Sequence, residues 1–544
     1  MSELRLVPAA VVVWAAAMAV ILSGPVAALS VIAAAVVGCA VWRQPGQAIL
    51  SGGLGVCSAA VAWARCSRAR ATSFGSTFNG SVSGAPKQLD SGDWLVNVNV
   101  AGYPVPVPVF AKKIPDRTVA GTLVDVTGTA KESTRPGVGS VTFNGDVDVI
   151  GPPTGFAAFA AGVRERFTGA VDAAVGDYTQ GLIPGMVIGD VSSQSSEEKQ
   201  TYIDTGLSHL SAVSGANCMY VATAALLVAR VCKFGLRAQI AAAGLALIVY
   251  AGLVGPEPSV LRATVSGLVG FTAVIASTRA EPIHVLCLSV IGLVLVDSDL
   301  AVNYAFALST AATAGIVAVS PLIYRALAPL GWPDIVGRAV SVAVAADLAT
   351  APIIALMAGK VSLVAVVANV LVSPVVGAVT VLGMAAAILA QLHQALAAPL
   401  LWVIQPLAGW IRVVADTGAH LPASTINARP ATVAVFYGWV LAGFIAERPR
   451  LTITITITIT ITVAGVVAAA AAGLGEAVEV DKRNAYVVES EADIGPLPPG
   501  TTVVVVRESK KRDRPVVTRE GVPVIYPYND QHGQPDPAGS LRRR

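Results

Sequence analysis

The sequence predicts a polytopic α-helical membrane protein of about 13 spans carrying a small extracytoplasmic β-barrel. Three observations predict it. Hydrophobic residues make up 54% of the 544 positions against 13% charged, and the mean hydropathy is +0.68. Apolar runs near 20 residues, the length that crosses a hydrocarbon core of ~30 Å, recur along the chain. One long stretch breaks the pattern, replacing continuous apolar runs with alternating ones bounded by glycine and proline.

The first three spans, at 6–23, 25–42 and 47–64, make an N-terminal helical domain over 1–69. The first could pass for a signal peptide, but two more spans follow at once, so it reads as an uncleaved anchor. Residues 70–152 are the alternating stretch. Strands are predicted at 94–100, 118–126 and 140–149, separated by Gly102-Tyr103-Pro104 and Arg135-Pro136-Gly137, and about five short strands suit a small barrel. Its aromatics Trp94, Tyr103, Phe110 and Phe143, with Lys87, Lys112, Lys113 and Arg117, have the composition of a groove that stacks bases and holds phosphates. Over 72–149 acidic residues nevertheless outnumber basic ones by seven to six, and the same aromatics would fill a small core. Phe110 with Lys112 and Lys113, joined by Trp94, is the patch that remains for nucleic acid.

Residues 153–205 hold an amphipathic helix over 156–175, with Arg164, Glu165 and Arg166 on one face and the membrane surface as its expected bed. A polar, glycine-containing loop follows. Ser195-Ser196-Glu197-Glu198 has the form of a capping box, Asp204-Thr205-Gly206 ends that short helix, and Ser208 is placed to N-cap the next one. The remaining spans are expected at 208–230, 236–254, 259–277, 282–296, 301–319, 339–357, 374–392, 397–415, 431–446 and 451–472, a helical core over 206–473. The run 361–372 is too short to cross and ends at Ser373-Pro374, which predicts a re-entrant or broken helix. The Thr/Ile alternation over 452–462 reads as helix, because a lone strand cannot satisfy its backbone in lipid. Residues 474–544 form a polar tail, strand-like at 501–506.

Gly189-Asp190 and the run Gly206-Leu207-Ser208-His209-Leu210-Ser211-Ala212-Val213-Ser214-Gly215 resemble the signature of the ComEC family of competence proteins. The likeness continues through Pro258-Ser259-Val260-Leu261-Arg262-Ala263, Tyr304-Ala305-Phe306-Ala307-Leu308-Ser309 and Leu348-Ala349-Thr350-Ala351-Pro352. Many relatives have Ser-Gly-Leu-His where this chain has Ser214-Gly215-Ala216-Asn217, so a role for an imidazole there does not transfer. The resemblance implies an inner-membrane channel for single-stranded DNA in natural transformation, with an OB-like barrel. It implies a DNA receptor, a separate nuclease and a cytoplasmic ATPase as partners. The metallo-β-lactamase-like nuclease domain of many relatives needs a histidine cluster; His209, His284, His393, His420 and His532 lie far apart in sequence, so no nuclease, metal or other cofactor is expected. No Walker-type Gly-Lys-Ser/Thr occurs, and the chain is not expected to be an enzyme.

Arg230, Lys233, Arg237, Arg279, Arg325 and Arg338 crowd alternate short loops, while Glu257, Asp297 and Asp299 occupy the others. The positive-inside rule then sets the N-terminus in the cytoplasm and the barrel, signature loop and C-terminal tail outside the cytoplasmic membrane. Arg65, Arg68 and Arg70 argue the other way, but a long following domain translocates largely regardless of such charge. The six cysteines show neither metal-ligand spacing nor a disulfide framework.

Candidate site residues are Gly189, Asp190, Gly206, His209, Ser214, Gly215, Asn217, Arg262 and Asp347. Asp347 lies inside an apolar span with Arg262 as its natural counter-charge, and a polyanion path requires Arg262 to stay solvent-accessible. His209 and Asn217, eight residues apart, would share a helix face at a pore mouth or else satisfy backbone carbonyls. Asp190 is read as a turn former before a ligand. Two other readings stay open: a small-solute transporter with Asp347 as its ion site, and a membrane-bound envelope enzyme using Asp190, His209 and Ser214.

Overall fold

The computed structural model describes residues 4–456 apart from 90, 116–117, 277–280, 422, 447 and 449, then 458, 462 and four short strands between 485 and 525. The chain divides into two units, Met1–Ile461 and Thr462–Arg544.

The first unit opens with helices α1 (Val7–Ser23), α2 (Pro25–Val41) and α3 (Pro45–Ala71). Strands β1 (Thr77–Val82), β2 (Lys87–Gln88), β3 (Trp94–Asn99), β4 (Val107–Ala111), β5 (Leu123–Glu132) and β6 (Val141–Gly151) follow. β1 pairs with both β5 and β3, β3 with β4 and β5 with β6, all antiparallel, and a parallel β4–β6 pairing completes a closed five-stranded barrel. β2 is a two-residue addition to β3. The predicted strand at 118–126 is corrected: its first half is a turn around Gly121, and the strand starts at Leu123 and runs on to Glu132. Inward positions alternate as a half-buried strand requires: Val96, Val98, Val107, Val109, Val124, Val126 and Phe143 are fully buried. Phe74, Phe78, Tyr103 and Phe143 meet edge-on at centroid separations of 4.7–5.8 Å.

The helical core continues with α4 (Gly155–Ala174), α5 (Asp177–Gln180), α6 (Leu182–Ile188), α7 (Ser196–Asp204), α8 (Gly215–Val231), α9 (Leu236–Val254), α10 (Pro258–Ile275) and α11 (Pro282–Val296). It closes with α12 (Tyr304–Leu327), α13 (Asp334–Ala358), β7 (Lys360–Ser362), α14 (Ala365–Leu392), α15 (Gln394–Ala419), β8 (Thr425–Asn427) and α16 (Pro430–Ile445), with β7 and β8 paired antiparallel. Among the described residues seven helices are long and apolar enough to cross a membrane, and five shorter apolar ones accompany them. The first twelve expected spans each fall on one of these. The expected span 451–472 lies mostly outside the described residues, as do Arg117, Arg279 and most of the tail.

No break occurs at Ser373-Pro374, contrary to expectation: α14 runs through both residues. Proline removes one amide from the helix ladder and frees the carbonyl four residues before it. Ser373 donates its hydroxyl to that carbonyl, on Val370, at 3.2 Å, so the helix continues without an orphaned acceptor.

α4 keeps its predicted amphipathic pattern and buries Val163, Phe167 and Val171, the last two within the apolar core that α14 and α15 share. Glu165 and Arg166 are exposed. Arg164 departs from them and donates to the carbonyls of Leu253 and Val254 at 2.6 and 2.9 Å, a cation on the C-terminus of α9.

The barrel is fastened to one end of the helical core. Arg65, near the end of α3, pairs with Asp297 at 2.7 Å and donates to the Pro104 carbonyl at 2.9 Å. The Val138 amide donates to Asp299 Oδ1 at 2.7 Å, and Lys87 approaches Glu257 at 3.9 Å. Arg65 is therefore held by acidic loops at the barrel end, a structural reason for a positive residue at that position. Arg230 in the last turn of α8, Lys233 in the loop that follows and Arg237 in the first turn of α9 lie at the opposite end of those two helices. Burial raises the Asp299 carboxyl above its ordinary range. Asp299→Ala is expected to cost about 1–2 kcal/mol and expose the barrel–core linkers to protease, because it orphans the Val138 amide. Asp299→Asn keeps an acceptor without a buried charge and is expected to leave limited proteolysis unchanged.

The second unit carries a sheet in the order β11-β12-β10-β9, from β9 (Ala485–Val488), β10 (Val503–Val506), β11 (Val516–Val517) and β12 (Pro523–Ile525). β10 pairs parallel with β9 and β12, and β11 pairs antiparallel with β12. The sequence pattern pointed to strand only at 501–506.

Candidate functional site

The polar loop between α6 and α8 lies at the barrel end of the core. α6 is buried at all seven positions, so its last carbonyls need partners from neighbouring helices. Asn217 donates to the Met186 carbonyl at 2.8 Å and Tyr250 to that of Val187 at 3.0 Å. Gly189 ends α6 in the left-handed conformation, φ 76°. Asp190 then accepts the Ser192 amide at 3.1 Å and hydroxyl at 2.6 Å, and the Thr168 hydroxyl at 3.3 Å. It is a turn former, the role the sequence favoured. Gln194, 5% exposed, ties the Gly181 and Ser211 carbonyls at 3.0 and 2.7 Å.

The capping box is half made. Ser195 accepts the Glu198 amide at 3.1 Å, but the Glu198 carboxylate leaves the cap for Arg412 of α15 at 2.6 Å. Tyr202 donates to the same carboxylate at 3.3 Å. Arg412 also reaches Asp416, and Asp416 accepts the Tyr178 hydroxyl at 2.7 Å. Partial burial and that carboxylate push the Tyr178 phenol up to about 12. Sequence reading missed this network. Arg412 lies inside an apolar span as Asp347 does, and that signal could have found it.

Gly206 follows α7 at φ 69°, and a Cβ there would sit 2.5 Å from Ala365 Cβ. The next helix does not begin at Ser208. Residues 207–214 form turns and α8 starts at Gly215 with Ser214 as N-cap. Gln194 holds this loop by the Ser211 carbonyl, and Asn217 fixes the first turn of α8 to the Met186 carbonyl. His209 is consequently exposed on the loop while Asn217 is 2% exposed in the core, and they share no face. Asn217 serves the backbone, the second of its two readings.

Arg262 and Asp347 are not paired. Arg262 Nε donates to Ser309 Oγ of α12 at 2.8 Å, whereas Asp347 accepts a short hydrogen bond from Tyr437 of α16. Arg262 is 7% exposed, against the accessibility a polyanion path requires. Its Nη2 lies 3.0 Å from where a Gly215 Cβ would stand, so α8 and α10 are in backbone-close contact.

On the barrel, Lys112 and Lys113 are exposed and Phe110 is half-buried on the outer face, opposite Leu95. Trp94 stands opposite Ala111, an inward residue 1% exposed, and so occupies the other face of the sheet. Trp94 and Phe110 cannot form one stacking platform. Tyr103 and Phe143 belong to the barrel core. Among the described residues no group of three or more His, Cys, Asp or Glu side chains could hold a metal ion.

Fold and site define a multi-pass helical membrane protein with a barrel docked beside a polar loop. Residues 186–450 match the family model described as Competence protein, and over that core the chain is similar to the competence protein family. Comparison with curated proteins and with solved structures gives no match.

Proposed function

We propose that the protein is a channel for single-stranded DNA across the cytoplasmic membrane in natural transformation. The observation that carries the reading is the position of the barrel. It is fastened through Arg65–Asp297 and Val138–Asp299 to the end of a competence-family core where the polar loop emerges. Its pairing order and its one parallel closing pair support reading it as OB-like, a fold suited to guiding a strand toward the core. Exposed Lys112 and Lys113, with Phe110, are its candidate strand contacts; Trp94 is not.

In this reading the acidic barrel end faces outward and the N-terminus lies in the cytoplasm. Phosphates cannot cross lipid unaided, so the conduit is protein-lined and polar. It performs no chemistry and holds no cofactor. A surface receptor delivers DNA, a separate nuclease removes the second strand, and a cytoplasmic ATPase pulls. The buried Arg262 belongs to a closed state, and passage requires α8, α10 and α12 to part around it.

Deleting the gene from a competent host and following labelled DNA tests this. Surface-bound DNA is expected to persist while cytoplasmic single strands disappear. Normal cytoplasmic accumulation in the deletion strain removes the channel from consideration.

A further inference from the structure

Two unsatisfied sets of donors meet where α8 begins. Ser214 directs its hydroxyl to Asn217 Oδ1 at 3.2 Å and leaves the helix uncapped. The amides of Gly215 and Ala216 consequently have no acceptor among the described residues. A 17-residue helix also concentrates partial positive charge at that turn. Independently, Arg262 reaches the same turn from α10. Its side chain is more than nine-tenths buried, and Nε is satisfied by Ser309 Oγ. Neither terminal amino group has an acceptor, and no carboxylate pairs with it among the described residues. Nη2 lies directly over Gly215, where even a methyl would crowd it at 3.0 Å.

A guanidinium taken out of water without a counter-ion is a standing cost to the fold. A helix N-terminus beside it adds to that cost unless an anion joins them. The two together match a tetrahedral oxyanion, with a fork of guanidinium donors on one side and backbone amides on the other. We infer that the first turn of α8 and Arg262 form a subsite for a phosphodiester oxyanion. The assignment of that oxyanion to a DNA strand rests on the channel reading; the subsite itself rests on the geometry. Ser309 holds the guanidinium in place, and Gly215 admits it to the helix end. An isolated subsite of this kind grips one phosphate at a time, as a conduit that must also release its strand requires.

The test uses the full chain in nanodiscs of zwitterionic lipid, binding a 20-residue oligothymidylate over a salt series. Arg262→Met is expected to weaken binding about tenfold, the loss of a charge-assisted hydrogen-bonding group. The slope of log affinity against log salt is expected to fall by about 0.7, one phosphate contact on a single strand. The thermal midpoint should not fall, because the variant removes an unpaired buried charge. Gly215→Ala, which displaces the guanidinium without removing it, is expected to lower affinity in the same direction and serves if Arg262→Met does not fold.

Wild-type affinity and slope in both variants overturn the subsite and leave the channel reading standing. No oligonucleotide binding by the wild-type chain sinks the DNA assignment alone. Inorganic phosphate then decides the subsite: a rise in thermal midpoint that needs Arg262 upholds it, and an equal or absent response in both proteins ends it. In nanodiscs containing phosphatidylglycerol, Arg262-dependent stabilisation that oligothymidylate cannot displace identifies a lipid headgroup and overturns the strand assignment.

Discussion

Arg412→Met is expected to lower the unfolding free energy by about 3 kcal/mol, the lower range for breaking a buried ion pair by removing one partner. The Glu198 side chain is 8% exposed and Arg412 20%, at 2.6 Å. With the guanidinium gone, Glu198 keeps, among the described residues, only the Tyr202 hydroxyl at 3.3 Å as a side-chain donor, and its carboxylate remains buried. Asp416 loses the same cation and retains Tyr178. The loss falls on the junction that fixes α7, and hence the polar loop, to α15. Thermal unfolding in detergent reads it, and the double variant Glu198→Gln with Arg412→Met should recover most of the loss, since it removes both charges. A single variant as stable as wild type would show that the pair does not hold the loop.

Gly206→Val carries the second large effect. The backbone there is left-handed, which costs an L side chain roughly 1–2 kcal/mol, and a β-branched residue tolerates it worst. The side chain would also enter space already filled, its Cβ 2.5 Å from Ala365 Cβ and 3.3 Å from Ala365 Cα. Ala365 begins α14, so neither side yields by a simple rotamer change, and overpacking adds about 1–3 kcal/mol. The loop from 207 to 214 must then shift, with His209 and Ser214 on it. Expected outcomes are a lower thermal midpoint and loss of DNA transformation at normal membrane levels of the protein. Transformation unchanged by Gly206→Val would mean that the loop's placement does not matter to function.

Much of the fold was legible because lipid leaves the backbone few choices. A run of about 20 apolar residues has to be helical, and α9 and α11 coincide with their expected spans at both ends. The errors lie where one polar side chain decides the outcome. Ser373 repairs the ladder at Pro374, and composition alone does not reveal that hydroxyl's direction. Ser208 has the residue type of an N-cap, but the helix starts after Ser214 because Gln194 and Asn217 take hold of the loop and α6 from a distance in sequence.

The site was legible as a place and less so as a set of contacts. Gly189, Asp190, Gly206, Ser214, Gly215 and Asn217 all belong to one polar region at the barrel end. Arg262 joins them through Gly215, while Asp347 lies apart with Tyr437. Pairing Arg262 with Asp347 followed from charge alone. Two ionisable residues in apolar spans attract in principle, but Ser309 and Tyr437 are the groups within reach. Glu198 and Arg412 were missed for the opposite reason, since a capping position offered a sufficient explanation for the glutamate.

Passage of a strand through this chain is read by reconstitution. Purified protein is placed in liposomes with fluorescent oligothymidylate and an external nuclease. Label is expected to become nuclease-resistant inside vesicles containing the protein, and not inside empty ones. Vesicles with correctly inserted protein that admit no strand, under any gradient, would contradict the channel reading.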